Sequence, residues 1–168
     1  MGSARSGGLD SARKDIEQLR RISDELVRSK QDYWAQQVEI QRSAAAAWMT
    51  YGEGKKDVAL RLMRSAADQE DASQKDVAME NRLWPMRELL GEMLLGMNEP
   101  AKALKEFEVS LQSARNRYRG LYGAAKAAER SGDRERARSY YERLVALCSY
   151  ADTDRPELAE AKTYLARK

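Results

Sequence analysis

The side chains that most often perform chemistry in proteins are scarce in this sequence. Its 168 residues contain no histidine, which removes the usual general base, the imidazole metal ligand and the histidine-activated nucleophile. The single cysteine, Cys148, follows an apolar helical face and is predicted to be a small buried thiol. Glycine-rich phosphate loops, zinc-protease motifs and paired cysteines are also absent. We therefore predict that the protein is not an enzyme and needs no cofactor and no metal ion.

One group of carboxylates keeps an enzymatic alternative open. Glu39, Glu70 and Asp71 would be neighbours if the polar segment 68–83 folds back. Adjacent carboxylates can perform acid–base chemistry or hold a hard cation. Because carboxylate pairs are common on helix surfaces, an enzyme or cation site built on these residues is the weaker interpretation.

Basic residues are concentrated in segment 113–143, which carries nine lysines and arginines against four acidic residues. Arginines alternate with Tyr118 at 115–119, and this mixture suits phosphate contacts and base stacking. Over the whole chain, however, 30 basic residues nearly balance 27 acidic ones. Nucleic-acid binding by the basic 113–143 face is therefore a second alternative, and we do not expect it.

Segment 68–100 has the opposite character, with eight acidic and three basic residues. Opposite charges on two halves of a chain can steer an acidic partner to the basic half or pair two copies head to tail. Self-association into a homo-oligomer, through these halves or through the amphipathic helix at 9–31, is therefore a further hypothesis.

Apolar residues recur at helical spacing from Leu9 to Leu26 and again from Tyr33 to Tyr51. The polar residues at 29–32 favour two helices broken there over one long helix. No segment shows the alternation typical of a strand, and no run of 18 apolar residues could span a membrane. The sequence therefore predicts an all-α protein without a membrane span.

Helix-packing residues repeat with a period of 34. Small residues would let paired helices approach closely, and aromatic residues would fill the space beside the alanines. The matched pairs are Gly91 with Ala125, Ala103 with Ala137, and Phe107 with Tyr141. This pattern resembles the tetratricopeptide repeat family over about residues 40–149. Stretches 33–40 and 66–72 also resemble a group of uncharacterised bacterial tetratricopeptide-like proteins, which carries no function over.

The resemblance implies a right-handed α-solenoid of about three helical hairpins, with capping helices at both ends. Residues 9–168 would form one domain, preceded by a disordered end or cloning remnant at 1–8. The predicted segments are an N-terminal helical cap at 9–39, a degenerate repeat at 40–67, an insertion at 68–83, repeats at 84–115 and 118–149, and a C-terminal capping helix at 154–168.

The resemblance also implies a role, because tetratricopeptide arrays bind peptides or protein segments in a concave groove lined by the first helix of each repeat. We therefore predict a protein–protein interaction module, an adaptor or assembly scaffold, whose partner is a protein or peptide. The sequence leaves open whether Trp48 and Tyr51 face this groove or the core. The groove residues implied by the family positions are Gln41, Trp48, Tyr51, Glu88, Glu92, Arg119, Tyr122, Lys126 and Glu129.

Overall fold

The computed structural model describes residues 2–73, 84–152 and 155–167, and every regular element in these ranges is an α-helix. The chain divides into two compact units, Met1–Leu90 (unit 1) and Gly91–Lys168 (unit 2). Across the described ranges, no helix is long and apolar enough to cross a lipid bilayer. The prediction of an all-α protein is confirmed.

Unit 1 contains helices α1 (Gly2–Arg5), α2 (Leu9–Arg28), α3 (Asp32–Gly52) and α4 (Lys56–Ala72), and α5 (Met86–Gly96) begins in it and continues into unit 2. Helix α3 packs against both α2 and α4, while α1 contacts α2 and α3. Because α2 ends before residue 29 and α3 begins at residue 32, the predicted helix break at 29–32 is confirmed.

Small side chains form most of the core of unit 1. Ala44 and Ala47 on α3 and Ala59 on α4 are fully enclosed, and the longer Ile40 and Met63 fill the space around them. Alanine adds little bulk between helix backbones, so α3 and α4 can approach closely while still burying apolar surface. The polar composition of α2 and α4 reflects their outer faces.

Unit 2 continues with helices α6 (Pro100–Ser113), α7 (Tyr118–Arg130), α8 (Arg134–Leu147) and α9 (Pro156–Ala166). Helix α7 packs against α6 and α8, and α8 also packs against α9. Helix α8 begins and ends 34 residues after α6 begins and ends, so the sequence period is a period of helices. Pro100 and Pro156 lie in first turns, where a missing N–H removes no intrahelical hydrogen bond.

The ring of Phe107 on α6 fits against two glycines of unit 2. A Cβ atom built on Gly91 would lie 2.8 Å from Cε2 and Cζ of Phe107, and one built on Gly123 would lie 2.3 Å from Cε1. Both distances are well inside van der Waals contact, and the ring itself is completely buried. Glycine at these two positions therefore lets α5 and α7 reach the same aromatic ring.

Five connections between successive helices of the described ranges share one turn geometry. Each places one residue in the left-handed region, at Gly7, Lys30, Gly54, Asn98 and Gly132. The amide of the following residue then donates to the carbonyl five positions earlier, as Glu99 does to Leu94 and Asp133 to Ala128, at 2.9 Å in both cases. This is the Schellman motif, which gives hydrogen-bond donors to carbonyl groups that have no partner within the last helical turn. The sequence indicated only two of these five turns, at Gly54 and Gly132. Lys30 and Asn98 are not glycines, and Gly7 lies in the segment predicted to be disordered.

Two segment predictions differ from the helices of the structure. Residues 2–5, predicted to be disordered, form α1, and burial of Ala4 against the neighbouring helices explains why this short segment is ordered. The predicted insertion at 68–83 begins inside α4, which continues to Ala72; residues 74–83 lie outside the described residues.

We expect Gly123→Ala to lower the free energy of unfolding by about 1–3 kcal/mol, because the new methyl group must displace a buried ring. At a solvent-exposed helix position, glycine to alanine would instead stabilise the protein by up to about 1 kcal/mol. The sign of the change in stability therefore shows whether the steric contact or the helix propensity dominates. Chemical denaturation of the purified chain measures the difference.

A double-mutant cycle identifies the ring as the cause. In a Phe107→Leu background, the cost of Gly123→Ala should fall markedly, because the shorter side chain leaves room for the methyl group. An equal cost in both backgrounds would contradict the contact, and Ser139→Ala on the exposed face of α8 serves as a control for helix propensity.

Candidate functional site

Within unit 1, the structure places Trp48 in the core and not in an open groove. The side chain is only 8% exposed, and its ring meets that of Tyr51 edge to face with centroids 5.6 Å apart. The guanidinium of Arg5, on α1, lies 4.8 Å from the centre of the Trp48 ring. The prediction that Trp48 lines a partner-binding surface is corrected for this reason: α1, left out of the sequence-based fold, covers it. Gln41 and Tyr51 are half-buried.

Glu88 is fully buried, although its family position predicted a groove-lining side chain. It lies on the first half of α5, between buried apolar residues such as Leu89 and Leu90. A partner could not touch its carboxylate without displacing protein, so the predicted exposure of Glu88 is also corrected.

Five predicted residues of unit 2 remain accessible, and the structure links them across neighbouring helices. Arg119 on α7 faces Glu92 on α5, with Nη1 of the arginine 3.8 Å from Oε1 of the glutamate. The arginine side chain is 51% exposed and the glutamate 20% exposed. Charges of opposite sign therefore lie side by side at the surface of the first part of unit 2.

The second part of the site is organised by Glu160 on α9. Its Oε2 accepts a hydrogen bond from the Tyr122 hydroxyl at 2.6 Å, and its Oε1 accepts one from Lys126 Nζ at 2.5 Å. Lys126 also contacts Glu129 Oε2 at 3.4 Å, and the same oxygen accepts a 2.9 Å bond from the Tyr141 hydroxyl. We refer to Glu92, Arg119, Tyr122, Lys126, Glu129 and Glu160 together as the polar row.

Local electrostatics keep Tyr122, Lys126 and Glu160 in their ordinary protonation states at neutral pH. Burial, followed by the hydrogen bond to Glu160, raises the pKa of Tyr122 above its usual range, so this phenol stays protonated and acts as a donor. For Glu160, burial favours the neutral acid, but the hydrogen bonds from Lys126 and Tyr122 outweigh it and lower the pKa. For Lys126, burial opposes the charge, yet its carboxylate neighbours raise the pKa overall.

Glu160 is the residue that the sequence interpretation missed. It lies 34 residues after Lys126, so α9 continues the repeat at the groove position. The sequence predicts this helix only as a cap, because Asp152 stands 34 residues after the aromatic Tyr118. The small residue of the repeat is kept, since Ala159 lies 34 residues after Ala125. Extending the period of 34 beyond residue 149 would have identified it.

The carboxylates of the enzymatic alternative do not form a common site. Glu39 binds Arg42 on its own helix at 2.7 Å, which lowers the pKa of the glutamate. Glu70 is buried and accepts a 2.8 Å hydrogen bond from the Met86 amide, where it caps the start of α5. Asp71 binds Arg87. In the described part of the chain, no group of three or more acidic or cysteine residues is arranged to hold a metal ion.

Arginines of the basic 113–143 face are largely occupied by internal contacts. Arg136 binds Asp133 at 2.6 Å and Glu108 at 3.3 Å. Arg130 donates to the Leu95 carbonyl and to Asn98, and Arg143 donates to the Arg115 carbonyl. Such contacts stabilise helix packing and leave fewer positive charges available for phosphates. They favour a structural role of these arginines over nucleic-acid binding.

Neither a family model nor a curated protein matches this sequence. Solved structures that share its fold include two of PcrH. PcrH from Pseudomonas aeruginosa has a TM-score of 0.57 at 19% identity, over 76% of this chain and 89% of that chain. PcrH in complex with the chaperone binding region of PopB has a TM-score of 0.58 at 19% identity, over 76% and 94%.

The structural likeness identifies the class of fold. This chain has an all-helical, tetratricopeptide-like fold of the kind found in PcrH, as the period of 34 predicted. At 19% identity, the likeness extends to the arrangement of helices and not to the chemistry of the surface.

We expect Glu160→Gln to lower the free energy of unfolding by up to about 1 kcal/mol near neutral pH, because it removes the charge that Lys126 and Tyr122 share. The pKa of Glu160 is below its ordinary value of 4.5, so the charged pair stabilises the folded state above that pH. This contribution is lost as the pH falls through the pKa of the folded state.

Thermal unfolding of the parent and of Glu160→Gln, followed near neutral pH and at about pH 3, measures this dependence. The difference between the two proteins should shrink in acid. Glu142→Gln is the matched control, since among the described residues the ionic contact of Glu142 is with the exposed Arg138, at 3.5 Å. A difference that persists unchanged at low pH would contradict the assigned charge interaction.

Proposed function

We propose that this protein binds a peptide segment of another protein along the polar row. The observation that carries the proposal is the linked set of partly exposed charges of both signs on the first helices of successive hairpins, α5, α7 and α9. Five of its members, Glu92, Arg119, Tyr122, Lys126 and Glu129, lie at the positions that the tetratricopeptide resemblance implies for the groove.

The chemistry of the polar row suits recognition. Alternating charges can set the register of an extended segment, while the Tyr122 ring offers contact area. Each ionic group of the polar row already pairs with another group of the protein. A bound segment with charges of its own could replace these partners one for one, so that few charges would be left unpaired. Such an exchange favours a partner that carries matching charges over an apolar one.

Catalysis is not part of this proposal. Tyr122 and Tyr141 both have pKa values raised by burial and by a neighbouring carboxylate, so neither phenol acts as a base or nucleophile at neutral pH. Lys126 is held charged by Glu160 and Glu129, which removes the free amine required for covalent chemistry.

The fold comparison supports a binding role without defining a partner. One of the two PcrH structures contains the chaperone binding region of PopB, which is a protein segment bound by a protein of the same fold. A chaperone-like or scaffold role, in which this chain holds a segment of a client protein, is the function we infer from this likeness and the polar row together.

Selection of short peptides on the immobilised full chain from a phage-displayed library tests the proposal. We expect Arg119→Ala and Lys126→Ala each to weaken the selected peptide about tenfold, since each removes a charge-assisted contact. Calorimetric titration measures the affinity, and circular dichroism checks that the variants remain folded.

Lys105→Ala is the matched control, because this exposed lysine on α6 lies on the second helix of its hairpin, outside the polar row. It should bind the selected peptide like the parent. Failure to enrich any peptide, or equal affinity of all three variants and the parent, would refute binding along the polar row.

A further inference from the structure

Unit 2 contains a second concave site that the groove positions did not predict. A cleft of about 540 Å³ lies where the end of α7, the start of α8 and the end of α9 meet. Its volume falls within the range of pockets that enclose small ligands or a few residues of a peptide. The lining residues are Glu129, Gly132, Arg134, Arg138, Tyr164 and Arg167.

Three guanidinium groups dominate the chemistry of this cleft. Among the described residues, the side chains of Arg134 and Arg167 make no hydrogen bond or close ion pair, although the charge of Arg167 helps to lower the pKa of Glu160. Arg138 has only long contacts, at 3.5 Å to Glu142 and at 3.4 Å to the Arg167 carbonyl. The other arginines of the 113–143 face described above are held more closely, so this cleft concentrates the cationic groups that remain available.

The one acidic residue in the cleft does not neutralise these arginines. Oε2 of Glu129 accepts the hydroxyl of Tyr141 at 2.9 Å and contacts the ammonium of Lys126 at 3.4 Å. Its negative charge is therefore directed to the polar row, and the side of the cleft formed by α8 and α9 stays positive.

An aromatic wall gives the cleft a defined shape. The ring of Tyr164 packs against that of Tyr141, with centroids 4.8 Å apart and an angle of 40° between the planes. Because Tyr141 is completely buried, it holds Tyr164 in position beside the arginines. A flat apolar surface next to guanidinium groups suits the methylene groups of a carboxylate side chain as well as its charge.

We propose that this cleft binds an acidic stretch, rich in Asp and Glu, of the segment that lies along the polar row. The inference rests on the proposed function and specifies the partner: a segment of mixed charge that continues into consecutive acidic residues. Glu129 belongs to both the polar row and the cleft, so one extended segment can pass from the first to the second. Guanidinium groups bind carboxylates through paired hydrogen bonds, which is the reason for an acidic occupant.

A second copy of this chain is the less suitable occupant. Asp68 and Asp71, in the acidic segment 68–100, are both bound by Arg87, at 2.6 and 2.8 Å. Glu70 and Glu88 of the same segment are buried. The described acidic groups that would reach the arginine cleft of a neighbouring copy are thus largely engaged within their own molecule.

The test uses a fluorescently labelled, N-acetylated oligo-glutamate peptide and the full chain. We expect one-to-one binding that weakens about tenfold in the double variant Arg134→Gln/Arg138→Gln, measured by fluorescence anisotropy at fixed ionic strength. The control is Lys105→Gln/Arg143→Gln, which removes the same net charge outside the cleft and should bind like the parent.

Equal weakening in the control pair would overturn the proposal, because it would indicate an effect of net charge alone. Absence of binding by the folded parent would also overturn it. So would displacement of the peptide by inorganic phosphate at equal concentration, which would indicate a general anion site. A monomeric parent in sedimentation supports a foreign acidic segment, whereas dimers that the oligo-glutamate peptide dissociates would assign the cleft to a second copy and contradict the proposal.

The failure of this inference is distinguishable from failure of the proposed function. If phage-selected peptides bind the parent and Arg134→Gln/Arg138→Gln equally but bind Arg119→Ala more weakly, the polar row stands and the binding of an acidic stretch in the arginine cleft is rejected. If the selected peptides also bind Arg119→Ala and Lys126→Ala with the affinity of the parent, the proposed function itself is rejected.

Discussion

The packing of unit 2 depends on one contact: the ring of Phe107 against the backbone of two glycines. Gly91 and Gly123 lie on different helices, and any side chain at either position would overlap the ring. The ring has no room to move, because it is completely buried. The sequence therefore combines one rigid aromatic group with two missing side chains, and this combination fixes how closely α5 and α7 approach α6.

The polar chemistry follows from this packing. With one face of α5 and of α7 committed to the core, other faces bring Glu92 and Arg119 to the surface as neighbours. Tyr141, 34 residues after Phe107, plays the next aromatic role but packs against Tyr164 of α9. Its hydroxyl binds Glu129, so the same side chain that anchors α9 also orients part of the polar row. Tyr141 therefore connects helix packing with the polar row: its ring contacts Tyr164, and its hydroxyl donates to Glu129.

Much of this organisation could be predicted. The hairpins around Gly54 and Gly132, the small residues at helix crossings and the aromatic positions all follow from local patterns, and the break between α2 and α3 follows from polar residues at 29–32. What local patterns left open, as for Trp48, or predicted wrongly, as for Glu88, concerns the long-range environment of a side chain. The sequence around Trp48 is the same whether its side chain is buried or exposed, and the position of α1 decides which of the two holds. Glu88 likewise occupies a groove position in the repeat but is enclosed.

The sequence by itself determined the helical class, the period of 34 and the residues that allow close helix packing, because each depends on residues that are near neighbours along the chain or one repeat apart. The tertiary structure decided which charges meet. Glu160 joins Lys126 and Tyr122, and Arg134 and Arg138 share a cleft with Arg167, only because α9 packs against α8 in a particular orientation. Surface charges tolerate many arrangements at small energetic cost, so no local pattern encodes their partners, whereas a buried ring tolerates very few.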